Sequence, residues 1–122
     1  MESEISRLMS LGLDELRKAN DSRAAKWNKG TPAPLSFAMM ELAGEAGEAC
    51  NAAKKLARHE MGWVGGDPDV SKLAEELADV VICADLAASR AGIDLAKAVA
   101  AKFNKTSEKH GFPERLGEGD TP

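Results

Sequence analysis

Five carboxylates fall at spacings that a helix would turn into chemistry. Glu41, Glu45 and Glu48 stand at i, i+4 and i+7, and Glu76 and Asp79 at i and i+3. At roughly 100° per residue, each set lies along one narrow arc of a helix. Leu35, Ala38, Met39, Leu42, Ala49, Ala53 and Leu56 form an apolar stripe beside the first arc. Leu73, Leu77, Val80, Val81, Ala84 and Ala88 flank the second on one side, and Ile82 and Leu86 on the other. An acidic pair with apolar residues on both sides points inward. Like charges one turn apart cost about a few tenths of a kcal/mol even in water. Turned toward each other out of water, they cost more or are forced to protonate. A cation between them removes the conflict. Hard oxygen donors without His or Cys at ligand spacing suit Mg²⁺ or Mn²⁺. Facing helices of a bundle can supply such a set. Its di-iron version needs Glu-x-x-His pairs, and neither His59 nor His110 follows a glutamate of these sets by three residues. Periodicity alone leaves a second reading open, in which the glutamates are a solvated face without metal.

The elements that must carry these residues are helices. The 122 residues include 21 alanines, no tyrosine and only five aromatics, and Val80-Val81-Ile82 is an isolated β-branched run. Gly and Pro punctuation divides the chain into four helical segments: Ile5 to Asn28, Leu35 to Glu60, Asp69 or Ser71 to Ala91, and one capped by Asp94 running to His110. A single all-α domain over residues 1–122 is expected, a four-helix bundle with its core at about 13–112 and a flexible tail at 113–122. Small side chains give a thin core. Such a core covers one apolar strip of the third helix, so the Ile82 and Leu86 strip is expected to pack on a second copy, in a homodimer or homotetramer.

Charge and composition narrow the partners. Sixteen Lys+Arg against 20 Asp+Glu give a net of −4 and an isoelectric point near 5.2, which speaks against an electrostatic nucleic-acid binder. No apolar run reaches the ~18 residues of a membrane span, and the N-terminus has no signal-peptide stretch. Cys50 and Cys83 lack CxxC spacing and read as buried thiols of a cytoplasmic protein.

The residues then carry a resemblance. Glu45-Ala46-Gly47-Glu48, followed after 27 residues by Glu76-Leu77-Ala78-Asp79, resembles the ExxE…ExxD signature of MazG-type nucleoside triphosphate pyrophosphohydrolases, of the all-α NTP pyrophosphatase superfamily. The neighbours Leu42-Ala43-Gly44 and Val80-Val81-Ile82, and the stretch from Gly92-Ile93-Asp94-Leu95 to Lys102-Phe103-Asn104, look like the family's core too. The likeness spans about Leu35 to Phe112. It implies Mg²⁺-dependent hydrolysis of a nucleoside triphosphate to monophosphate and pyrophosphate, in a dimer or dimer of dimers. Glu45, Glu48, Glu76 and Asp79 would hold the metal. Glu41 lies outside the signature, either as an assisting base or as a solvated helix-edge carboxylate.

Phosphates also want cations, and Lys55, seven residues past Glu48 on the same face, is one candidate. Lys102 and Asn104 match a region that the family uses at the phosphate end. Asn20, Arg23 and Trp27, at i, i+3 and i+7 of the first helix, are candidates for the nucleoside end, with Trp27 stacking on a base and Asn20 reading its edge. Trp63, in a glycine-rich loop, is placed to act as a lid. Rival readings are a dUTPase-like or phosphoribosyl-ATP pyrophosphatase relative, and a non-catalytic helical interaction module. Four converging carboxylates speak against the last.

Overall fold

The computed structural model describes residues 12–117 together with Ser3. Its helices are α1 (Leu13–Trp27), α2 (Leu35–Glu60), α3 (Ser71–Arg90) and α4 (Leu95–His110). Among the described residues there is no strand. The segment Ile5 to Leu11, expected to open the first helix, lies outside the described residues.

Local chemistry sets the helix ends. Pro34 immediately precedes α2, where its missing N–H costs nothing. Asp69 stands two residues before α3 and accepts from Ser71 N and Ser71 Oγ, both at 2.9 Å. The backbone bond and then the hydroxyl bond hold the Asp69 carboxyl below its ordinary value. Asp94 caps α4 as expected, accepting from Lys97 N at 3.1 Å. Gly111, at φ 73°, closes that helix in the left-handed conformation. Beyond it, Asn104 ties Leu116 to α4 through a bond in each direction, 2.7 and 3.0 Å long.

The α2–α3 loop folds back over the end of α2. Trp63 N donates to the Arg58 carbonyl at 2.8 Å and Asp67 N to the Lys55 carbonyl at 3.1 Å. Gly66 passes so close that a Cβ there would lie 2.4 Å from His59 N. Only glycine permits this approach.

The α2–α3 contact is the most extensive in the chain. The first helix also crosses α3, but the backbones of α1 and α2 stay apart. A wedge therefore opens between them with α3 as its floor. The last helix touches α1 and α3 sparsely and does not reach α2. The core is as thin as the composition implies: among the described residues Ala38, Ala49, Ala52, Ala87 and Ala88 are the buried apolar ones.

Several face assignments need correction. On α2 the buried line is Ala38, Ala49 and Ala52, while Leu35, Met39 and Ala53 are exposed. On α3, Ile82 and Leu86 are half-buried and border the wedge beside α1, whereas Leu77 and Val81 are 51% and 49% exposed. The uncovered apolar strip is thus the Leu77–Val81 one. Periodicity identifies two strips but not the side on which α1 lies down. Cys50 is exposed and Cys83 half-buried, so neither is the fully buried thiol expected.

One buried polar network fastens α1 to α3. Arg17 Nε donates to Asp85 Oδ1 at 3.0 Å, and Arg17 Nη2 to the Ile93 carbonyl at 2.8 Å. Asp85 has no solvent exposure at all. It interrupts the apolar run of α3, which is the sequence signal that marks it for a partner.

Candidate functional site

Two helices bring the acidic sets together. Glu45 from α2 and Glu76 and Asp79 from α3 offer carboxylate oxygens that all lie within 4.8 Å of one another. Glu76 is buried at 6% exposure, and Glu45 and Asp79 are half-buried. The inward aim read from the flanking apolar residues is what the fold produces. Glu48 is exposed and stands outside this cluster, though its charge acts on both Glu45 and Lys72.

The electrostatics record crowding. Desolvation raises the Glu45 pKa above its ordinary value, followed by the charges of Asp79 and Glu76, a hydrogen bond to Glu76 and the charge of Glu48. A raised folded-state pKa means that the metal-free protein is favoured when Glu45 is protonated and loses stability as the pH rises through that pKa. Lys72 Nζ lies 2.9 Å from Glu76 Oε1. The Glu76 bond and charge hold Lys72 above the usual lysine value. Sequence reasoning missed Lys72, although its i, i+4 spacing to Glu76 was there to read. Hard oxygen donors, surplus negative charge and a recruited ammonium are the chemistry of a site for a hard divalent cation.

The wedge between α1, α2 and α3 forms a cleft of about 400 Å³ beside this cluster. Asn20, Arg23 and Trp27 line it from α1, as their shared face predicted, with Trp27 81% exposed. Phe37 and Glu41 line it from α2, and Asp79, Cys83 and Arg90 from α3. Burial, and then the charges of Glu41, Glu45 and Asp79, push the Cys83 thiol up. Phe37, Cys83 and Arg90 went unnoticed in the sequence because only the fold brings them to this wall. Arg90 shares its side chain with the chain before α2, donating from Nε to the Ala33 carbonyl at 2.5 Å.

The remaining candidates lie elsewhere. Trp63 caps the far end of α2, and about 1.5 Å of rise per residue puts Arg58, its backbone partner, roughly 25 Å along the axis from Glu41. It is no lid for this cleft within one chain. Lys55 is exposed on the last third of α2, and its carbonyl receives Asp67 N. Lys102 is exposed on α4 and Asn104 is engaged with Leu116; neither borders the cleft. Their helix packs only sparsely on α1 and α3 and makes no contact with α2, which carries Glu45.

No helix among the described residues is long and apolar enough to cross a membrane. No curated protein and no solved structure matches the chain. The family model for the MazG nucleotide pyrophosphohydrolase domain does match, over residues 35–112, which takes in α2, α3, α4 and every member of the carboxylate cluster. The match covers more than half of the chain, and the chain belongs to the MazG nucleotide pyrophosphohydrolase family.

Proposed function

We propose that this chain hydrolyses nucleoside triphosphates to monophosphate and pyrophosphate, with Mg²⁺ or Mn²⁺ held by Glu45, Glu76 and Asp79. The observation that carries the reading is their convergence within 4.8 Å beside a cleft of about 400 Å³ that Asp79 also lines. Glu48, one turn beyond Glu45, is the fourth ligand by a side-chain rotation. A bound divalent ion neutralises the triphosphate and lowers the pKa of an attacking water. Lys72 balances Glu76 and stands ready for a phosphate oxygen. Arg23 reaches into the cleft as a second cation. Trp27 and Phe37, on opposite walls, offer aromatic surface to a base. Glu41 borders the cleft outside the cluster, where it can take the proton released as water attacks the α phosphorus and pyrophosphate leaves. Lys55 is placed for the outer phosphates, about 10 Å of helix rise past Glu48.

A panel of ribo- and deoxyribonucleoside triphosphates tests the reading. With Mg²⁺ at least one should yield monophosphate and pyrophosphate without accumulating diphosphate, and EDTA should stop the reaction until Mg²⁺ is restored. Diphosphate plus orthophosphate would place attack at the γ phosphorus and overturn it.

The chain also works as a homodimer or homotetramer on this reading. Leu77 and Val81 on α3 and Val99 and Phe103 on α4 are exposed apolar pairs at i, i+4, and α4 is barely packed on its own chain. A second copy buries them and brings Lys102 and Asn104, which do not border the cleft of their own chain, toward its site. Val81→Glu should therefore shift the species seen by light scattering toward the 12.9 kDa single chain and reduce activity with it. An active wild-type monomer would refute the assembly.

A further inference from the structure

Asn20 is only 3% exposed, yet it lines the cleft. Its Nδ2 donates to the Ile82 carbonyl at 3.1 Å and to Asp85 Oδ2 at 3.0 Å. Neither partner can donate in return. One is a main-chain carbonyl, and the other is a carboxylate whose second oxygen receives Arg17 Nε. The amide therefore has a single orientation, because a flip would press Oδ1 against two acceptors. The clamp is rigid, since Asp85 has no exposure and Arg17 is itself tied to the Ile93 carbonyl. Oδ1 makes no hydrogen bond within the described residues, and no sealed side-chain oxygen or nitrogen there lacks a partner. Oδ1 therefore keeps open surface, and the cleft is the open space that Asn20 borders.

Its position along the cleft fits the base rather than the sugar. Its two partners on α3, Ile82 and Asp85, lie about 4.5 and 9 Å of helix rise beyond Asp79. The far end of that range is the reach from a 5′ phosphate at the carboxylate cluster to the far edge of a base. A freely turning asparagine would donate to a carbonyl as readily as it accepts from an amine. This one can only accept.

We propose, resting on the reading that a nucleotide occupies this cleft, that Asn20 Oδ1 selects bases bearing an exocyclic amino group over bases with a carbonyl oxygen at the same ring position. Cytosine is then favoured over uracil, and adenine over hypoxanthine. The carbonyl member sets two acceptors face to face and leaves both unpaired. Arg17 and Asp85 are positioning residues that act through Asn20.

The test measures kcat/KM for CTP against UTP and for ATP against ITP. In parallel, calorimetry gives Kd for the α,β-imido analogues of the same four, which bind without being cleaved. The amino member of each pair should be favoured at least about tenfold in both measurements. Asp85→Asn sets a donor where one of the two acceptors stood and leaves the Ile82 carbonyl alone to hold the Asn20 amide, so it should reduce both ratios, with KM rather than kcat carrying the change. Asn20→Ala should abolish the preference as well; the wild-type ratios decide the matter even where a variant fails to fold. Equal ratios, or preference for the carbonyl member, with hydrolysis intact would overturn the inference and leave the enzymatic reading standing. A preference undiminished in Asp85→Asn would place the discrimination elsewhere and overturn it too. Discrimination in binding without any hydrolysis would uphold the selector and overturn only the enzymatic reading. Failure of all four analogues to bind would overturn the occupancy of the cleft and this inference with it.

Discussion

Asp79→Asn is expected to lower turnover at least ~100-fold at saturating Mg²⁺ while leaving the helices intact. The amide keeps the shape of the side chain but removes one of three carboxylates that converge within 4.8 Å. Its charge is also the first electrostatic cause of the raised Glu45 pKa, after desolvation. Neutralising it relieves that repulsion, so the melting temperature of the metal-free variant at pH 8 should equal or exceed that of the wild type. A functional residue and a stabilising residue are thereby separated, since the substitution that removes activity does not cost stability. Turnover within a few-fold of wild type would remove Asp79 from the metal site. Glu76→Gln carries a further consequence, because it also takes away the partner of Lys72 Nζ at 2.9 Å.

Arg17→Met should destabilise the fold by about 3–5 kcal/mol in urea denaturation, without altering a metal ligand. It leaves the Asp85 carboxylate, which has no exposure, without its countercharge in the interior. Domains of this kind have ~5–15 kcal/mol in total. A core of five buried alanines has little to offset such a loss. The double variant Arg17→Met/Asp85→Leu should recover much of it, because no isolated charge then remains. Equal stability of Arg17→Met and wild type would show that the ion pair does not fasten α1 to α3.

The helical layout and the chemistry of the carboxylates were legible along the chain. Helix ends follow from neighbours in the chain: Pro34 before α2, Asp94 accepting from Lys97 N and Gly111 at φ 73° are local events. The inward aim of Glu76 and Asp79 was legible from helical period, because apolar residues stand on both sides of the acidic pair. The shared face of Asn20, Arg23 and Trp27 was legible for the same reason.

Only the tertiary structure decided which flank of each helix is covered. Ile82 and Leu86 border α1, and Leu77 and Val81 face outward, because the Arg17–Asp85 and Asn20–Ile82 bonds fix how α1 crosses α3. Those partners stand more than sixty residues apart, beyond the reach of any periodicity. The same crossing keeps α1 off α2, which opens the cleft, and it turns Asn20 from a free amide into a clamped acceptor. Trp63 shows the converse. Its loop composition suited a lid, but a continuous 26-residue helix holds it at the opposite end of α2 from Glu41. Distance along a rigid helix and the crossing of two others are properties of packing, which a one-dimensional pattern does not encode.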